Sequence, residues 1–149
     1  MVEQGRVEEL WSSDRVVRRA EDWLARLEGL RTFVDEAIRG IPGLTIADRD
    51  PIQMDEDLMR RFEVSPRSMP VFDVMKGNKP VARFRPKGLW VIGANGRVDL
   101  TTPAGSWFIV DSAEPLSTAD WHIASMADKR SLGRLSRQGL IEILRLALG

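Results

Sequence analysis

Between Arg15 and Arg39 the apolar residues Val16, Ala20, Trp23, Leu27, Leu30, Val34 and Ile38 recur at alternating steps of three and four. That spacing follows the turn of an α-helix and lays one apolar stripe along a single face, so the segment must bury that face against another element. Ser12, Ser13 and Asp14 offer capping oxygens in front of the stripe. Gly40 and Pro42 close it, the first free to turn left-handed and the second unable to donate a backbone N–H. Gly29 is the one residue that would divide the helix in two. Asp14 with Arg18, Asp22 with Arg26 and Asp35 with Arg39 are spaced for contacts across one turn, each worth about 0.2–0.5 kcal/mol on an exposed helix. A shorter helix is predicted before it, with Val7, Leu10 and Trp11 turned inward. Another runs from Asp55 to Glu63, with Leu58, Met59 and Phe62 on one side and Asp55 as its cap.

After the prolines of SPRSMP the apolar period changes from helical to extended. VFDVM, VARFR, LWVIG, RVDLT, WFIVD and WHIAS are short apolar runs separated by turn-rich stretches, which predicts an antiparallel meander of five or six strands. LSRQGLIEILRLAL then reads as a closing helix, with Ser136 as N-cap and Leu140, Ile143, Leu144 and Ala147 inward. The expected architecture is one α+β domain over 1–149: a helical part over 1–65, the sheet over 70–126 and a C-terminal helix over 136–148. In it the N-terminal helices pack on the sheet and the C-terminal helix closes one side.

Asn95-Gly96 between apolar runs is a strong hairpin signal, because both residues tolerate positive φ. A two-residue turn there pairs Ala94 with Arg97, Ile92 with Asp99 and Trp90 with Thr101. Alternation then sets Leu89, Val91, Val98 and Leu100 on a clean core face, with Trp90, Ile92, Arg97, Asp99 and Thr101 on the other. If Thr102 to Gly105 forms the next loop, Phe108 lies opposite Asp99 on that mixed face. Coverage by the remaining helices, closure into a partial barrel, or a patch kept for a partner would each explain such a face.

Composition narrows the functions open to such a fold. The apolar runs fall far short of the roughly 18 residues of a membrane-spanning helix, and MVEQGRVEEL has no apolar stretch behind a basic start, so neither membrane nor secretory signal is expected. Without cysteine there is no disulfide or thiolate metal site, and the expected location is the cytoplasm. Arginine outnumbers lysine 18 to 4, a bias that points to a GC-rich bacterial source and to no particular function. The 22 basic and 22 acidic residues cancel, but 1–65 holds 15 acids and 10 bases while 66–149 holds 7 and 12, leaving halves of −5 and +5. Such asymmetry suits a molecule that orients on a charged partner, and equally one whose halves pair internally.

Three sets of residues carry candidate chemistry. Lys76, Lys79, Arg83, Arg85, Lys87 and Arg97 form a basic ribbon with no acid between its ends. Arg83 and Arg85 are two apart and so share a strand face, and their planar guanidinium groups suit carboxylate or phosphate. Edge protection and coverage of apolar surface by arginine stems are the bland account of the same charges. Neutral overall charge, no tyrosine and no RNP-like or helix-turn-helix pattern argue against nucleic acid. Asp48, Asp50, Asp55, Glu56 and Asp57 resemble a cation cluster but complete no EF-hand loop, so no metal site is expected there. Asp99, Asp111 and His122 are the candidates for acid–base or metal-dependent catalysis, although alternation places Asp111 beside Val98 and Trp107, away from Asp99. No G-x-S-x-G elbow, P-loop or dinucleotide motif is present, and no cofactor is expected.

The expectation is a non-catalytic binding or regulatory module. It uses Arg83, Arg85, Lys87 and Arg97 with a Trp90/Phe108 aromatic face to engage an acidic or amphipathic protein partner, an anionic ligand, or a second copy of the chain. The enzymatic alternative is a metal-dependent hydrolase or phosphodiesterase working through Asp99, Asp111 and His122.

Overall fold

The computed structural model describes residues 12–90 and 96–149. The predicted helix around Val7 to Trp11 lies outside them, as do Val91 to Asn95. Helix α1 runs from Ser13–Ile38 without a break at Gly29, and the Ser12 hydroxyl accepts from the Arg15 N–H at 3.2 Å. All seven stripe residues are buried. The left-handed residue beyond the helix is Gly43 (φ 84°) rather than Gly40. The next helix, α2, is only one turn, Asp57–Arg61, and Glu56 rather than Asp55 stands at its N-cap position.

The sheet has seven strands in chain order, each antiparallel to the next: β1 Leu44–Met54, β2 Arg67–Lys76, β3 Lys79–Gly88, β4 Arg97–Thr102, β5 Gly105–Asp111, β6 Trp121–Ser125 and β7 Gly133–Arg134. Helix α3, Arg137–Leu148, follows, capped by the Ser136 hydroxyl. The expected five or six strands are therefore corrected to seven. β1 escapes the period-two test because Asp48, Arg49, Asp50 and Pro51 sit in its middle, where the pairing with β2 shifts between Arg49 and Ile52. Charges, a proline and a bulge are tolerated there because β1 is an edge strand.

The pairing expected across Asn95-Gly96 is corrected as well. β4 pairs with β3, placing Arg85 opposite Asp99, Arg83 opposite Thr101 and Gly88 opposite Arg97, so Trp90 does not meet Thr101 and Asp99 is not paired with Ile92; the turn expected at Asn95-Gly96 itself falls partly outside the described residues. Leu89 and Trp90 belong to no strand. Their N–H groups go to the Glu56 carboxylate at 3.1 Å each, a side chain taking the place of a neighbouring strand. Gly96 does have positive φ, at 115°, and a Cβ there would fall 2.3 Å from the Trp23 ring. The glycine thus admits the backbone against an aromatic face. The following register agrees with expectation: Asp99 faces Phe108 across β4 and β5.

One buried cluster joins the α1 stripe, Leu140, Ile141 and Leu144 of α3, and the alternate strand residues Phe72, Val74, Phe84, Val98, Leu100 and Ile109. Phe72 and Phe84 stack at 4.8 Å between centroids, and the Trp23 indole N–H donates to the Met69 sulfur at 3.3 Å. The opposite sheet face carries Val71, Asp73, Met75, Arg83, Arg85, Asp99, Thr101 and Phe108, given by the same registers. No helix of the described residues is long and apolar enough to cross a membrane.

Candidate anion-binding groove

The mixed face is built around a carboxylate. β2 and β3 are joined through Gly77 and Asn78, with Lys76 opposite Lys79 and Met75 opposite Pro80, after which the register shifts so that Val74 meets Ala82 and Asp73 meets Arg83. Without that one-residue bulge Arg83 would stand opposite Phe72 and be driven into the core. With it, Arg83 lies flat against Asp73: its Nε and Nη2 donate to the two carboxylate oxygens at 2.7 and 2.9 Å. Arg49 reaches over from β1 and donates from Nε at 2.8 Å.

The Asp73 side chain is fully buried (0% exposed), whereas those of Arg83 and Arg49 are 52% and 40% exposed, so the acid is covered and the bases are not. The Arg83 contact holds the Asp73 carboxyl below the ordinary carboxylate range; burial opposes this, and Arg49 adds to it. Reciprocally, Asp73 raises Arg83. Asp73 takes two of the five N–H donors of Arg83, and no other acceptor for that guanidinium is found among the described residues.

Arg83 and Arg49 line an open groove of about 1040 Å³ together with Pro51, Val71, Arg85 and Thr101. Arg85 is exposed and forms no ion pair within 4.0 Å among the described residues, because Asp99 opposite it is taken by Arg97 at 2.8 Å. The Arg97 guanidinium also lies over the Phe108 ring, 5.1 Å from its centroid. Arg97 is thus tied down in a way Arg85 is not. Lys87 is exposed.

Other predicted site residues are dispersed. Trp90 and Phe108 do not share a face. Trp90 follows β3, lines a separate small pocket with Glu56, Leu58 and Arg60, and packs at the margin of the core, while Phe108 sits on the mixed face under Arg97. The expected pairing fails because the strand that meets β4 is ARFRPKG, and Leu89 and Trp90 lie beyond its end.

Asp111, Asp99 and His122 are not gathered either. Asp111 lies on the helix side, fully buried, bonded to Arg26 and to the N–H groups of Ala113 and Asp120 at 3.0 and 2.9 Å. Asp99 and His122 share the mixed face, but β5 runs between their strands, a separation of at least roughly 10 Å. His122 Nδ1 stands 3.3 Å from the Asp120 carbonyl. Among the described residues no three His, Asp or Glu side chains group to hold a metal ion. The acidic run of 48–57 is divided up: Asp48 pairs with Arg31 at 3.0 and 3.1 Å, Asp55 and Asp57 with Arg60, and Glu56 with backbone.

Sequence reasoning missed Arg49 and Asp73, the two residues that complete the site with Arg83. The alternation of Leu44, Ile46 and Asp48 against Thr45, Ala47 and Arg49 was the available signal for β1. The bulge that aligns Asp73 with Arg83 had none. Comparison with protein families, curated proteins and solved structures gives no match to this chain.

Proposed function

We propose that the chain is a single-domain, non-catalytic binding module whose helices cover one sheet face and whose arginine-lined face engages an acidic segment of a partner protein. The observation that carries this is the Arg49–Asp73–Arg83 cluster at the groove. A buried carboxylate fixes two half-exposed guanidiniums in place, with donors left over and Arg85 beside them. Fixing a long side chain in advance removes part of the ordering cost of binding, and a planar guanidinium is matched to carboxylate oxygens. The groove lining holds three guanidiniums against one acid, Asp50, while Asp73 is covered and lies outside the lining, an excess of positive charge at the accessible surface.

Fluorescence anisotropy with a labelled glutamate-rich peptide tests the reading. Saturable binding that weakens with salt, and falls about tenfold in Arg85→Glu while the melting temperature is kept, is the expected result. Equal affinity in wild type and Arg85→Glu, or no binding to wild type, would overturn it.

A further inference from the structure

β1 forms both one wall of the groove and one edge of the sheet. β1 has a strand neighbour on one side only, and no backbone outside the sheet bonds to Leu44–Met54, so the outer row of N–H and C=O groups of this 11-residue strand has no backbone partner among the described residues. Its second half is protected against pairing by Asp48, Arg49, Asp50, Pro51 and the bulge. Leu44 to Ala47 has none of these devices: it holds no charge, no proline and no register shift. The opposite edge differs, because β7 is two residues long and the Leu135 N–H bonds the Trp121 carbonyl.

Alternation gives the two sides of this open stretch different chemistry. Leu44 and Ile46 are half-buried and pack toward the core cluster. Thr45, Ala47 and Arg49 point to the arginine face, where they lie opposite Met75, Asp73 and Val71. A strand added beside β1 would set alternate side chains next to Leu44 and Ile46, and the others next to Arg49 and the groove.

We infer that the acidic partner segment binds as an added β-strand on the outer edge of β1 along Leu44 to Ala47, and that it alternates acidic with apolar residues. This rests on the proposed binding function and specifies how the partner is held. Backbone hydrogen bonds to β1 supply affinity; the apolar residues extend the half-buried row of Leu44 and Ile46; the acidic ones reach Arg49, and those beyond the paired stretch cross into the groove toward Arg83 and Arg85.

The test uses the full chain and a labelled octapeptide in which glutamate and valine alternate. One form is N-methylated at every valine and another at every glutamate, and the control is a block peptide of the same composition, with all its glutamates ahead of all its valines. An added strand turns the N–H groups of only one alternate set toward β1. One methylated form should therefore lose at least about tenfold in affinity, because its methyl groups replace the N–H donors that β1 accepts, while the other binds like the parent. The block peptide should bind more weakly than the alternating one. Equal affinities for the two methylated forms would overturn strand addition while leaving side-chain binding in the groove intact. Failure of every glutamate-containing peptide to bind would remove the underlying function as well. Self-association of the free protein that is abolished by Ile46→Lys would assign the edge to a second copy instead, and would equally overturn the proposal.

Discussion

Asp73 and Asp111 are both carboxylates with 0% of the side chain exposed, and both are held by arginine, yet they sit on opposite sides of the same sheet and do different work. Asp111 bonds Arg26, whose side chain is only 6% exposed and which also meets Asp22 and the carbonyls of Glu114 and Ser117. With Ala113 and Asp120 donating backbone N–H groups to the same carboxylate, that cluster clamps the 112–120 loop to α1 and closes on itself. Asp73 instead has partners that stay half in water with donors to spare. A buried acid on a closed network serves the fold. One that orients half-exposed bases leaves them facing solvent, and the proposed binding rests on that arrangement.

The largest expected effect comes from breaking the closed cluster. Asp111→Ala leaves a buried guanidinium short of its acid and should lower stability by about 3–5 kcal/mol, read as a shifted denaturation midpoint in urea. A loss below about 1 kcal/mol would place Arg26 in contact with water. Asp73→Asn should reduce stability less, by about 1–3 kcal/mol, because Arg83 and Arg49 can turn to solvent. Its acidic-peptide affinity should also fall, since both bases lose their anchor; unchanged affinity would mean that Asp73 has no positioning role.

Acid titration comes next in size. The Asp73 pKa is lowered in the folded state, so its contribution to stability is fully present above the ordinary aspartate range and is lost as pH falls through and below that range. Wild type should therefore lose stability on acidification more steeply than Asp73→Asn, as followed by thermal melts across the acid range. Parallel curves would contradict the pairing. The smallest stability effect is expected for Arg85→Glu, within about 0.5 kcal/mol, although it should show the largest loss of peptide binding for its cost in stability.

The two sides of the sheet are also unequally legible in the sequence. α1 is readable residue by residue, from its Ser12 cap to its buried stripe, because a helix face is set by local spacing alone. The pairing of Asp99 with Phe108 is readable too, since a four-residue loop fixes it. The site is not, because its geometry depends on two register shifts, in β1 between Arg49 and Ile52 and across β2 and β3 near Val81. A shift of one residue exchanges the faces of every side chain beyond it, and no local residue pattern announces either shift. Alternation puts Arg83 and Arg85 on one face, as the structure does, but the partner that organises Arg83 cannot be found without the bulge. Trp90 is misplaced for a related reason: Glu56, more than thirty residues earlier, takes its N–H.

The arginine Nε–H resonances of a ¹⁵N-labelled sample, followed while the unlabelled alternating glutamate–valine peptide is added, compare the two clusters in one experiment. Arg83 and Arg85 should shift with a common saturation curve, and Arg26, enclosed with Asp111, should not move. Shifts confined to Arg26, or none at Arg83 and Arg85 at saturating peptide, would contradict the division between a face that binds and a face that only holds the fold.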